Sequence, residues 1–336
     1  MPSDARANRL PRVLESLEEV RARLPHRGRA GSQTGRGRTT VNGTHLGEFY
    51  SVLAALVWAV SVVLFRLSGR TLRPLALNFF KNAVAVVIFA ATFAIFRIPL
   101  ARNVPAVDYA LLAFSGVVGI AVADTLFFKS LNLVGAGLSQ VASLSYSPFV
   151  ILFTFLFLGE RLTPGDLAGA GLIMLGIFLT AGHAPAPGTT SHDLRKGIGY
   201  AILSMALMAL GVAAAKPVLD RSPLIWTTAV RLASGMAALC VLAAVSPRQR
   251  DLWRTLRPSR SWRVSLPAAV LGTYLAMLIW MAGMKYTQAA TASILNQTSA
   301  VFVLPIAAIV LKESITRRKA IAVATAIAGV ALVSLF

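Results

Sequence analysis

An all-α membrane protein of ten transmembrane helices, built as two inverted five-helix repeats, is the fold class that three features of this sequence predict. Only 14% of its 336 residues are charged and 56% are hydrophobic, for a mean hydropathy of +0.68; a soluble domain carries roughly 25% charged residues. The apolar residues come in blocks of about 20, the length that crosses a hydrocarbon core of about 30 Å. The third feature is a doubled turn. "FLFLGERLTPGDLAGAGLI" (155–173) is an apolar run that breaks at Glu160 and restarts from Thr163, and "AAIVLKESITRRKAIAVAT" (307–325) repeats this with Glu313 and Thr316.

Along the chain, residues 1–46 come first, rich in Arg and Gly and lacking the apolar core of a signal peptide. They read as a mostly disordered cytosolic tail. Within it Leu10, Val13, Leu14, Leu17, Val20 and Leu24 recur at helical spacing, so docking of a short amphipathic helix on anionic lipid is the sharper alternative. The formal charge of +20 sits mostly in this tail and in short loops. Membrane proteins keep Lys and Arg there, so no nucleic-acid partner is expected.

Ten spans follow, at 49–68, 75–96, 107–133, 137–158, 165–182, 197–217, 224–245, 264–286, 290–311 and 318–336. The loop "SPRQRDLWRTLRPSRSWR" (246–263) is long and basic. The segment 183–196, rich in Pro, Gly, Ser and Thr, reads as a linker between a first repeat, 47–182, and a second, 197–336. A shift of 153 residues supports the division: Gly119 meets Gly272, Phe149 meets Phe302, Glu160 meets Glu313 and Gly176 meets Gly329. A shift of 150 lays "YSVLAALVWAVSVVLFR" (50–66) over "YAILSMALMALGVAAAK" (200–216) and pairs Lys81 with Arg231. Five spans per copy is an odd number, so the second copy must run inverted relative to the first, the plan of many secondary transporters.

Over residues 47–336 the sequence resembles the drug/metabolite transporter superfamily of EamA-type permeases. The resemblance rests on the doubled unit, on "SPFVILFTFLFLGERLTPGDLAGAGLIMLG" (147–176) and on "VADTLFFKSLNLVGAG" (122–137). The second copy departs from the pattern, with a more basic "KESITRRKA" (312–320) and Val301 in place of Pro148. The resemblance implies a ten-helix carrier with a central cavity, moving a small metabolite or drug-like solute, often as an exporter. The expected location is the plasma (inner) membrane of a prokaryote, with the lipid bilayer and a small-molecule substrate as partners. Self-association as a homodimer stays open. The rival reading is an integral membrane scaffold, receptor or intramembrane enzyme, which would gain nothing evident from a doubled, inverted unit.

Polar residues inside the spans name the candidate site. Gln140, Ser143 and Ser147 fall at i, i+3 and i+7 of the fourth span, one stripe of a helix. Ser293, Asn296 and Ala300 hold the same places in the ninth, with Gln297 alongside. Two such stripes in register would line a shared cavity; the plainer alternative is bonding between neighbouring helices. Four charges also lie within spans: Lys81, Asp124, Lys129 and Arg231. Each needs water, a partner or a route to the interface. Lys81 and Arg231 either snorkel or face the cavity to attract an anionic group such as a carboxylate. Asp124 is a candidate for proton coupling or, by preference, neutralises Lys129 five residues on.

Thr163 and Pro164 open the fifth span with cap chemistry. Glu160, Thr163, Glu313 and Thr316 therefore read as structural turns rather than site residues. HExxH, GxSxG, P-loop and Asp-rich metal motifs are missing from the sequence. The one cysteine, Cys240, is inside an apolar run. No cofactor, metal or enzymatic activity is expected, and transport would have to run on gradients. Orientation is contested. A cytosolic N-terminus puts nine cations inside against fifteen outside, which argues for the reverse. Six further tail arginines and the resemblance favour cytosolic ends.

Overall fold

The computed structural model describes residues 44–159, 190–245 and 249–335, with scattered positions between 164 and 175. Every regular element among them is helical. In the first half, α1 (Thr44–Ser68) leads through a tight turn to α2 (Pro74–Ile95). Pro74 opens α2, where its preset φ suits the helix and its missing N–H has no bond to make. Next, α3 (Ala106–Gly116) widens into a π-helical stretch, Val117–Ala123, and continues as α4 (Asp124–Ser143). The half closes with α5 (Tyr146–Leu158).

The second half opens with α6 (Ser191–Arg221), where the Thr190 hydroxyl accepts the Asp193 N–H at 3.1 Å and donates to the Asp193 carboxylate at 2.7 Å. This reciprocal cap holds the first turn closed. It continues with α7 (Leu224–Val245), the short α8 (Gln249–Arg254) and α9 (Trp262–Ala269). A second π-helical stretch, Val270–Ala276, joins α9 to α10 (Met277–Tyr286). Last come α11 (Ala289–Asn296), α12 (Ser299–Leu311) and α13 (Arg317–Leu335).

Seven described helical stretches are long and apolar enough to cross a membrane, and Tyr146–Leu158 is a shorter apolar one. Large apolar side chains also face outward along them, Val87 at 68% and Ile309 at 79% exposure among others. An apolar surface of that extent is tolerated against lipid, not water. The chain is thus a multi-pass integral membrane protein. Glu160, Thr163, the tail helix at 10–24 and residues 183–189 of the linker lie outside the described residues, the rest of the linker is corrected to the cap and first turns of α6, and the expected span 165–182 is described only at scattered positions. The expected loop 246–263 is corrected in part: α8 forms within it, Phe79 packs edge-on to Trp253 at 5.0 Å, and Leu252 is buried.

Irregularities in the two halves recur 153 residues apart. The π-stretches Val117–Ala123 and Val270–Ala276 correspond. So do the breaks between Ser143 and Tyr146 and between Asn296 and Ser299. At those breaks Ser145 donates to the Ala142 carbonyl and Thr298 to the Leu295 carbonyl, at 2.8 and 2.7 Å. The left-handed ends of α5 and α12, at Gly159 (φ 68) and Lys312 (φ 57), correspond as well. These breaks correct the fourth and ninth spans, which the periodicity reads as single helices. A helix of mixed apolar and hydroxyl residues gives no sign of a break that its own serines and threonines satisfy locally.

Packing crosses between the halves. Helix α1 lies on α9, α10, α11 and α12, while α6 lies on α3, α4 and α5. The largest cluster of buried apolar residues includes Phe65, Phe127, Phe128 and Met281, with Phe65 edge-on to Phe128 at 5.2 Å. Helix α4 also kinks at Gly135 (φ 83, ψ 175), a conformation open essentially to glycine alone. The N–H groups of Ala136 and Gly137, freed by the kink, donate to the two carboxylate oxygens of Glu313 at 2.9 and 3.0 Å. That corrects the reading of Glu313 as a local turn residue: it caps a helix start in the other half. Thr316 does sit just before α13, its carbonyl accepting the Ala320 N–H at 3.2 Å.

Candidate functional site

The corresponding breaks and π-stretches converge on one cavity of about 110 Å³, lined from both halves. Irregular backbone at membrane depth is tolerated where it is buried in protein or lines a cavity, and here it does the latter. The first π-stretch contributes Gly119 and Ile120, the second Gly272, Thr273 and Ala276. Widening a helix by one residue per turn frees carbonyls from the regular ladder. The Asn78 amide takes up two of them, donating to the Ile120 and Ala121 carbonyls at 2.9 and 3.1 Å. Ser204 donates to the Ala123 carbonyl at 2.7 Å. The first π-stretch is therefore held open by side chains from α2 and α6.

Three charged residues line the cavity: Lys81, Asp124 and Arg231. Lys81 and Asp124 form a buried ion pair at 2.7 Å, with the ammonium also 5.7 Å from the Phe128 ring centre. The expected pairing of Asp124 with Lys129 is thereby corrected. Five residues along a helix is most of one and a half turns, which turns the two side chains away from each other. Lys129 is exposed instead, its ammonium 5.5 Å from the Tyr200 ring centre. Arg231 is 2% exposed, its guanidinium 5.5 Å from the Trp280 ring centre and one nitrogen 3.5 Å from the Met281 sulfur. Among the described residues no carboxylate lies in ion-pair range of it. A charge at bilayer depth costs roughly 2.5–3.5 kcal/mol, and stacking on an indole out of water recovers about 2 kcal/mol of it.

Of the two polar stripes, Gln140, Ser143, Asn296 and Gln297 line the cavity. Ser147 and Ser293 do not: Ser147 accepts from Gln297 at 3.1 Å, and Ser293 donates to the Ala290 carbonyl at 2.7 Å. For Ser147 the helix break causes the difference, because a stripe of i, i+3, i+7 holds only along an unbroken helix, whereas Ser293 precedes its break and bonds back to its own helix. The breaks also produce a reciprocal arrangement. Gln140 donates to Ser299 at 2.9 Å, and Gln297 donates to Ser147 at 3.1 Å, so each half's glutamine reaches a serine at the start of the other half's helix.

Buried polar atoms without a protein partner concentrate on this cavity. Of eight such atoms among the described residues, Gln140 Oε1, Tyr146 Oη, Arg231 Nε, Thr273 Oγ1, Trp280 Nε1 and Asn296 Oδ1 are on residues that line it, and only Asn82 Oδ1 and Ser115 Oγ are not. Such groups are few in folded proteins because each costs about 1–3 kcal/mol when left unpaired. Their clustering marks a place built to receive polar groups. The remaining wall is aromatic and thioether: Trp58, Phe127, Met205, Met208 and Met277. Tyr146, Thr273, Trp280 and these wall residues escaped the sequence reading. An aromatic or methionine in a span looks the same from sequence whether it faces lipid or cavity.

Comparison with known proteins places the chain. Residues 45–182 and 195–335 each match the model of the EamA-like transporter family. The chain is 25% identical over 277 residues to an "Uncharacterized transporter" of Archaeoglobus fulgidus, spanning 80% of this chain and 90% of that one. A solved crystal structure shares its fold with a TM-score of 0.64 at 18% identity, covering 88% of this chain and 98% of its own.

Proposed function

Because this chain belongs to the EamA-like transporter family, we propose that it is a secondary carrier of a small solute, working by alternating access through the cavity between its halves. The observation that carries the reading is the cluster of unpartnered polar atoms where the two halves' helix breaks meet. A solute that left water there would find replacements for its lost hydrogen bonds. Ten helices in two inverted five-helix repeats, 47–182 and 197–336, are the arrangement we infer. The doubled family match and the irregularities recurring 153 residues apart support it. Inversion gives alternating access a simple route, since two conformations that exchange the roles of equivalent halves open the same site to opposite sides.

We assign Gln140, Ser143, Asn296 and Gln297 to solute contact, and Ser147 and Ser293 to holding helix breaks together. Lys81 and Asp124 are the coupling candidates, since protonation of Asp124 would unpair Lys81 and change the cavity's charge. Export by a prokaryotic plasma membrane protein is the direction and setting the family resemblance favours. The purified full chain in proteoliposomes, screened with amino acids, nucleosides, sugars and organic acids, should show saturable flux above empty vesicles. Gln140→Ala and Asn296→Ala should change apparent affinity and solute ranking while surviving in the membrane at normal amounts. A broad panel without saturable flux would remove the carrier reading.

A further inference from the structure

The geometry points to a substrate class: a small carboxylate with an apolar body, held by Arg231. This rests on the carrier reading for its cavity but adds a chemical identity to what the cavity takes. The first argument is charge. Lys81 and Asp124 neutralise each other at 2.7 Å, so the lining keeps one net positive charge, and it resides on Arg231. A guanidinium does not lose its proton in proteins. Buried without a carboxylate in range among the described residues, it is satisfied best by an anion that arrives with the solute.

The second argument is geometry. Trp280 lies against the guanidinium at 5.5 Å, and Gly119 leaves the room it occupies, since a Cβ there would come within 2.9 Å of Arg231 Nη2. The side chain is thus fixed before any solute enters. Its Nε has no partner, and the Met281 sulfur is a weak acceptor, so its donors are largely free. Tyr146, tilted against Trp280 with ring centres 6.3 Å apart, offers an unpartnered hydroxyl, and Thr273 offers another. One guanidinium and two hydroxyls suit a planar carboxylate. One net positive charge balances a monocarboxylate and leaves a phosphate dianion with a negative charge uncompensated.

The third argument is the rest of the wall. Trp58, Phe127, Met205, Met208 and Met277 present aromatic and thioether surface, and methionine adapts to varied apolar shapes. A cationic solute would meet the net positive charge, and a neutral sugar would leave Arg231 without an anion. The occupant that matches both ends is an organic monocarboxylate with an aliphatic or aromatic tail.

The test is equilibrium binding to the purified full chain in nanodiscs, read by tryptophan fluorescence, because Trp58 and Trp280 line the cavity. The probes are 3-methylbutanoate, 3-phenylpropionate and indole-3-acetate, each beside its neutral amide, with 3-phenylpropylamine and inorganic phosphate as controls. We expect at least one acid to bind about tenfold or more tightly than its amide, with the amine and phosphate failing to compete. Arg231→Gln should erase the acid–amide difference and Arg231→Lys should keep part of it. Equal binding of acids and amides, or no binding by any acid, overturns the proposal. The wild-type comparison decides this alone if the Arg231→Gln protein does not fold. Acid binding without flux in proteoliposomes would retain the anion site and remove the carrier. Saturable flux of neutral or cationic solutes without acid preference would do the reverse.

Discussion

Lys81 and Arg231 occupy equivalent places in α2 and α7, 150 residues apart, and the protein treats them differently. Lys81 has Asp124 as a partner at 2.7 Å, and Arg231 has Trp280. The divergence follows from one position: where the first half has Asp124, the second has Met277. Removing one partner of a buried ion pair leaves the other charge uncompensated, whereas removing both can be nearly neutral. Lys81→Met should therefore destabilise the protein by about 3–5 kcal/mol, and Lys81→Met with Asp124→Leu should recover most of the loss. Thermal unfolding in detergent measures both together with the Asp124→Leu single; a double variant that loses the sum of the two singles would mean that the pair contributes no coupling. That Lys81, Asp124 and Arg231 lie inside spans was legible from their positions alone. Their pairing was not, because Lys81 and Asp124 are 43 residues apart and meet only when α2 packs against α4.

At the scale of elements, the breaks are the informative features. The kink at Gly135 and the carboxylate of Glu313 form one unit, since the kink frees two N–H groups and Glu313 accepts both. A Cβ at Gly135 would lie 2.8 Å from Glu313 Oε1, on backbone that disfavours any side chain. Gly135→Ala should cost about 1–3 kcal/mol, and Glu313→Gln about 0.5–2 kcal/mol through the weakened cap. Because the two act through one contact, the double variant should lose less than the sum of the singles. A double-mutant cycle by thermal unfolding measures this; full additivity would mean that the cap and the kink are independent. The sequence marked Glu313 as a turn residue through its likeness to Glu160 but could not show its reach. A carboxylate beyond the end of an apolar run looks the same whether it meets water or a helix start in the other half. The π-stretches had no sequence mark either, because what distinguishes them is which carbonyls Asn78 and Ser204 take up.

For the whole molecule, the ten-span arrangement proposed above predicts that residue 1 and Phe336 lie on the same side of the membrane. Reporter fusions at the two positions should give like signals, and opposite signals would mean a span too many or too few. Composition and periodicity were sufficient for the class: a chain with 14% charged residues in blocks of about 20 apolar ones can satisfy its backbone in lipid only as helices. The internal repeat was also legible in sequence alone, since corresponding π-stretches keep Gly119 and Gly272, where a Cβ would press on Arg231 and on Phe65. What only the tertiary structure decided was which polar residues meet. Gln140 and Gln297 were visible as site candidates, yet their partners Ser299 and Ser147, the cavity wall from Trp58 to Met277 and the absence of a carboxylate in ion-pair range of Arg231 among the described residues all depend on contacts between halves. Lipid, protein and cavity impose nearly the same apolar composition on a span. The face a side chain presents to each is settled by long-range packing, which no local pattern encodes.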